Sequence, residues 1–66
     1  MNQECWLHQK TRLIDRFGPK NFSTEFALLC SIECKPLPNE AFVDIVNFLI
    51  GSRPANRPPL LADFRD

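Results

Sequence analysis

No run of apolar residues in this sequence is long enough to span a membrane, and no basic stretch followed by an apolar one stands at its start. A cytoplasmic protein is therefore the expectation. The chain has a single histidine, His8, with no Ser or Cys at a spacing that would give a nucleophile, a base and an orienting group. It reads as an outward-facing polar residue, and an enzyme is not expected. Three cysteines are an odd number without secretory context, which argues against a disulfide framework. Net charge is also lacking. Eight basic residues balance eight acidic ones, so the whole domain offers no attraction for nucleic acid. No stretch alternates with the period of a strand, and no internal repeat or low-complexity segment occurs.

The charges that are present are unevenly placed. Residues 1–24 carry Lys10, Arg12, Arg16 and Lys20 against Glu4 and Asp15, a balance of +2. Residues 25–44 carry Lys35 against Glu25, Glu33, Glu40 and Asp44, a balance of −3, and the remainder comes to +1. An acidic middle between mildly basic ends suits contacts within the chain or with a protein partner better than contacts with DNA. Lys10, Arg12 and Arg16 are interrupted by Asp15 and have no interleaved aromatics, so they read as a solvated face. Glu40 and Asp44 lie one turn apart where a third helix would begin; their simplest role is to complement that helix's dipole. They would also repel phosphates from its N-terminus.

Apolar side chains carry most of the structural information. Sixty-six residues are near the lower limit for a self-sufficient core, and six Phe and one Trp supply much of the surface such a core needs. The stretch from Leu37 to Gly51 dominates. Phe42, Ile45, Val46, Leu49 and Ile50 form one broad helical stripe, Pro38 is tolerable in a first turn, and Gly51 suits a stop. A helix over about 39–50 is predicted. A first helix over 3–17 follows from Asn2 as a cap, a stripe of Trp6, Leu7, Leu13, Ile14 and Phe17, and a stop at Gly18-Pro19. A second, over 24–34, follows from Ser23 as a cap and Pro36 as a breaker. Its stripe is Phe26, Leu29 and Cys30, continuing to Cys34, with Leu28 and Ile32 beside it. The short link after it should make helices two and three close neighbours. Residues 51–58 read as a proline-rich connection and 59–65 as a short terminal helix. The expected fold is all-α: one domain over 1–66, a small bundle of three helices plus a short C-terminal helical turn. Its predicted core is Trp6, Leu13, Phe17, Phe26, Leu29, Phe42, Ile45, Val46 and Leu49.

Cys5 and His8 are three apart on the first helix, and Cys30 and Cys34 four apart on the second. Together they would satisfy tetrahedral zinc if the two helices met there. Zinc motifs usually place at least one pair on a turn, and cysteine also behaves as a small buried hydrophobe. Reduced, metal-free core cysteines are therefore expected, with no cofactor. A zinc-stabilised nucleic-acid-binding domain stands as a lesser alternative.

Leu37-Pro38-Asn39-Glu40-Ala41-Phe42, then Ile45 to Ile50, then Arg57-Pro58-Pro59-Leu60-Leu61-Ala62-Asp63-Phe64-Arg65, resembles the small phage helicase-loader/inhibitor family. The likeness covers mainly residues 25–65. It implies a compact helical domain and a non-enzymatic adaptor role in DNA replication, through contact with a replicative helicase. A small phage-type inhibitor that occupies a host protein is the alternative. The family's second-helix tryptophan is missing here, where Leu28, Leu29, Cys30 and Ser31 stand. The resemblance transfers the third-helix face and the proline-led end as a recognition surface: Val43, Phe48, Arg57, Leu60, Leu61, Phe64 and Arg65. Some of its apolar members should be exposed, rimmed by Arg53, Arg57 and Arg65, unless the terminal segment folds back and completes the core. A protein partner is thus expected, with no small-molecule substrate, no membrane and no direct nucleic-acid binding.

Overall fold

The structure is a computed structural model that describes residues 1–64. Helix α1 runs over Gln3–Phe17, α2 over Thr24–Cys34 and α3 over Asn39–Ser52, and a 3₁₀ turn at Leu61–Phe64 closes the described chain. Among the described residues no strand occurs, and the all-α class is as expected.

Local chemistry sets the ends of the first two helices. Asn2 is extended, and its Oδ1 accepts the Cys5 N–H at 2.8 Å, satisfying one of the amide groups that a helix start leaves unpaired. Gly18 ends α1 at φ 86°, a left-handed value that a side chain would resist, and its N–H reaches the Ile14 carbonyl at 2.8 Å. Ser23 caps α2 through its Oγ, which accepts the Phe26 N–H at 3.2 Å. Pro38 stands at the N-cap of α3 and gives no side-chain cap; its carbonyl accepts the Phe42 N–H at 3.1 Å.

The end of α3 differs from the sequence expectation. The helix continues through Gly51, which does not take a positive φ, and stops only where Arg53 turns extended. Arg53 is held there by its own chain. Its guanidinium pairs with Asp63 at 2.7 Å and donates to the Pro58 carbonyl at 3.3 Å, while its carbonyl accepts from Arg16 at 2.9 Å. Asp63 also accepts the Leu60 N–H at 2.7 Å, so one carboxylate both caps the terminal turn and ties it to Arg53. At the opposite end, the Met1 amino group donates to the Lys35 carbonyl at 3.1 Å, and the Asn2 N–H to Asn39 Oδ1 at 2.9 Å. The chain start is thereby pinned across the link between α2 and α3.

The core is made by Leu13, Phe17, Phe22, Ala27, Cys30, Cys34, Phe42, Val46, Leu49 and Phe64. Through it runs a chain of aromatic rings: Trp6 to Phe42 at 5.9 Å, Phe42 to Phe64 at 6.4 Å, Phe64 to Phe26 at 6.4 Å, and Phe26 to Phe22 at 5.5 Å, edge to face. These spacings lie within the range in which ring pairs add to simple burial. The ring of Phe64 thus lies between α3 and α2. The closest backbone approaches are α1 with α3 and the terminal turn with α2 and α3; α2 and α3 are not the close pair that their short link suggested.

Several core assignments change as a result. Leu29 is 52% exposed, Phe26 is only partly buried, and Phe22 and Phe64 take fully buried places. Trp6 and Ile45 pack against the core while remaining partly exposed. Gln9 is the one buried polar residue among those described, and it is satisfied: Oε1 accepts from Arg12 at 2.7 Å, and Nε2 lies 3.1 Å from His8 Nδ1.

Phe42 has no exposed surface and touches two of the ring partners, so Phe42→Ala should cost about 3–5 kcal/mol. Small domains hold only about 5–15 kcal/mol in total. A urea titration of the variant should therefore show a large fall in midpoint, and an unchanged midpoint would mean that this face of α3 is not the core.

Candidate functional site

Polar chemistry is dispersed over the molecule. Among the described residues, no three or more His, Cys, Asp or Glu side chains come together as a metal site. Cys30 and Cys34 are fully buried, Cys5 is half-buried, and His8 is exposed beside Gln9, so the four residues weighed as a zinc set are not gathered. Burial pushes the Cys30 thiol up to about 12, with the charges of Cys34 and Glu33 adding to the effect. Burial, followed by Glu33, pushes Cys34 up to about 11. Thiols held protonated in this way are poor nucleophiles and poor metal ligands. Glu40 and Asp44 are exposed over the first turns of α3.

The surface residues singled out from the sequence fall into separate places. Phe48 is 69% and Leu60 62% exposed. Val43 and Leu61 are half-buried, Leu61 packing against the core. Phe64 is only 1% exposed. The expectation that it faces a partner is corrected: the terminal segment folds back, and its phenyl ring completes the core. The two α3 members of that surface also lie apart. From Val43 to Phe48 an α-helix turns by about 140° beyond a full turn, so the two flank the buried face on opposite sides. Arg57 is exposed, with its backbone N–H donating to the Pro54 carbonyl at 3.0 Å. Arg53, expected as a rim residue, is engaged by Asp63 and Pro58 instead. Arg65 lies outside the described residues.

A further apolar surface was not singled out from the sequence. Leu28, Leu29 and Ile32 are 61%, 52% and 69% exposed on the outer face of α2. Their spacing is i, i+1, i+4, which keeps them on one side of the helix, away from buried Ala27, Cys30 and Cys34. The signal was present: seven of the eleven residues in Thr24–Cys34 are apolar, more than one face can hold. Beside this stripe, Trp6 and Ser31 line two adjoining depressions between α1 and α2. The larger, of about 390 Å³, ends at Ile32 and Lys35, and the smaller at Lys10 and Leu28.

Compared with protein families, curated proteins and solved structures, the chain has no significant match in any of the three. No helix among the described residues is long and apolar enough to cross a membrane.

At neutral pH a thiol reagent should modify Cys5 in the folded protein and reach Cys30 and Cys34 only on unfolding; rapid labelling of all three would contradict their burial. The linkage with pH has a definite sign. The two thiols ionise near 9.0 when unperturbed and near 12 and 11 in the fold. Their contribution is whole below pH 9 and is lost as pH rises towards 11 and 12, because the unfolded chain releases its protons first. Urea midpoints should therefore fall above pH 9, and replacing Cys30 with alanine should reduce that fall; a midpoint as high at pH 11 as below pH 9 would contradict the assignment.

Proposed function

We propose that this chain is a non-enzymatic protein-binding adaptor, and that it acts in the manner of a helicase loader in DNA replication, within the cytoplasm. The observation that carries the binding part is the exposure of Phe48 and Leu60, two of six large apolar side chains that are 46–69% exposed. A domain this small has few such residues to spare from its core, which makes large apolar side chains left in solvent the natural anchors for a partner. The helicase as partner rests on the likeness of the third-helix start and the proline-led end to the loader family. In this reading Phe48 and Leu60 are the anchors, Val43 and Leu61 support them from half-buried positions, and Arg57 serves the rim. Phe64 contributes indirectly, by holding the terminal turn in place.

Apolar anchors at the centre of an interface set affinity, whereas rim charges act mainly on association rate and salt dependence. Phe48→Ala and Leu60→Ala should each weaken binding to a purified hexameric replicative helicase by roughly tenfold or more, with Arg57→Ala changing it much less. Surface-immobilised helicase and a circular dichroism check on each variant make the comparison. Absence of binding by the unaltered protein would overturn the helicase reading. Full affinity in well-folded Phe48 and Leu60 variants would overturn the assignment of the anchors.

A further inference from the structure

We infer that the groove between α1 and α2 is a second docking surface, distinct from Phe48 and Leu60, and that its occupant is an acidic amphipathic helix of another protein. Three observations lead there. The first is apolar: Trp6 is half-buried along the groove, and Leu28 and Ile32 stand 61% and 69% exposed along its α2 edge, one helical turn apart. Anchors at i and i+4 are the spacing that a helix laid into a groove can match with its own.

The second is charge. Lys10 lines one of the two adjoining depressions and Lys35 the other, and no Asp or Glu lines either. Of the nearby acids, Glu25 shares the outer face of α2 with Leu28 and Ile32 without lining either depression, Glu33 is half-buried on the same helix, and Glu4 lines a separate shallow depression with Cys5, His8 and Asn39. Like charge along both ends of an apolar groove disfavours a basic partner and attracts an acidic one. The third is length. From Thr24 to Lys35 the α2 wall is about 16 Å long, enough for about three turns of a bound helix. A partner carrying leucine-like anchors one turn apart and carboxylates beside them matches both the shape and the sign of the surface. Ser31, half-buried between the two depressions, is small enough to let such a helix approach closely.

The chain's one tryptophan lies in this groove, which gives a direct readout. The test titrates the whole protein with two synthetic peptides, each about four turns long and free of tryptophan. Both carry leucine at i and i+4 repeats; the remaining positions are mainly glutamate in one and lysine in the other. The glutamate peptide should shift Trp6 emission to the blue in a saturable way, and the lysine peptide should not. Ile32→Ser and the double variant Lys10→Glu/Lys35→Glu alter exposed or half-exposed side chains. Each should weaken the glutamate peptide by roughly tenfold or more, with circular dichroism unchanged, while Phe48→Ala leaves it unaffected. No shift with the glutamate peptide, or an equal shift with both peptides, would overturn the inference. So would a Trp6 shift on concentrating the protein alone, accompanied by a dimer in sedimentation, since the occupant would then be a second copy. A helicase that fails to bind, with peptide binding intact, would count against the loader reading and leave the groove standing.

Discussion

The ring of Phe64 is the contact on which the rest of this fold depends. It lies 6.4 Å from Phe42 on α3 and 6.4 Å from Phe26 on α2, and it has almost no exposed surface. Three short helices of this size cannot bury their apolar faces against one another alone. A domain near the lower limit of self-sufficiency needs every large side chain that it can place inside. Here the last described turn supplies one of them. Because that turn is a single 3₁₀ element, its position relies on what fixes its ends: Asp63 accepting the Leu60 N–H and pairing with Arg53, and Arg53 reaching the Pro58 carbonyl. The ion pair is partly exposed and worth little by itself. Its value is geometric, since it aims Phe64 inward.

That inward turn decides which surfaces remain outside. With Phe64, Phe22, Ala27, Cys30 and Cys34 committed to the interior, the opposite side of α2 is left with Leu28, Leu29 and Ile32. With Phe42, Val46 and Leu49 inward on α3, Phe48 is left to one side. The apolar surface available for recognition is thus a remainder of core formation, and it is large because these helices are apolar around most of their circumference. The proposed adaptor role and the α1–α2 groove both draw on it.

The elements themselves were largely legible before the structure. Asn2, Ser23, Gly18-Pro19 and Pro36 each act through local hydrogen bonding or backbone restriction, so they place the ends of α1 and α2 without reference to tertiary contacts. The end of α3 was not local. Gly51 permits a stop without requiring one, and the helix ends at Arg53, whose partners arrive from Arg16, Pro58 and Asp63. Leu29 was misplaced for a related reason. A helix apolar on several sides offers more than one plausible stripe, and the choice between Leu29 and the Ala27–Cys30–Cys34 face depends on Phe22 and Phe64 arriving from outside the helix. The candidate surface was legible at Phe48 and Leu60. At Phe64 and along α2, long-range packing decided the outcome.

Amide hydrogen exchange on Phe64→Leu beside the unaltered protein tests this dependence most directly. The smaller, non-aromatic side chain keeps the domain apolar while breaking the ring contacts to Phe42 and Phe26. Protection in α2 should drop well before that of α1, because α1 keeps its own packing on α3 and α2 loses the wedge that holds it. Protection in α2 that stays equal to the unaltered protein's, with the terminal turn alone opening, would contradict the claim that the last turn holds the fold together.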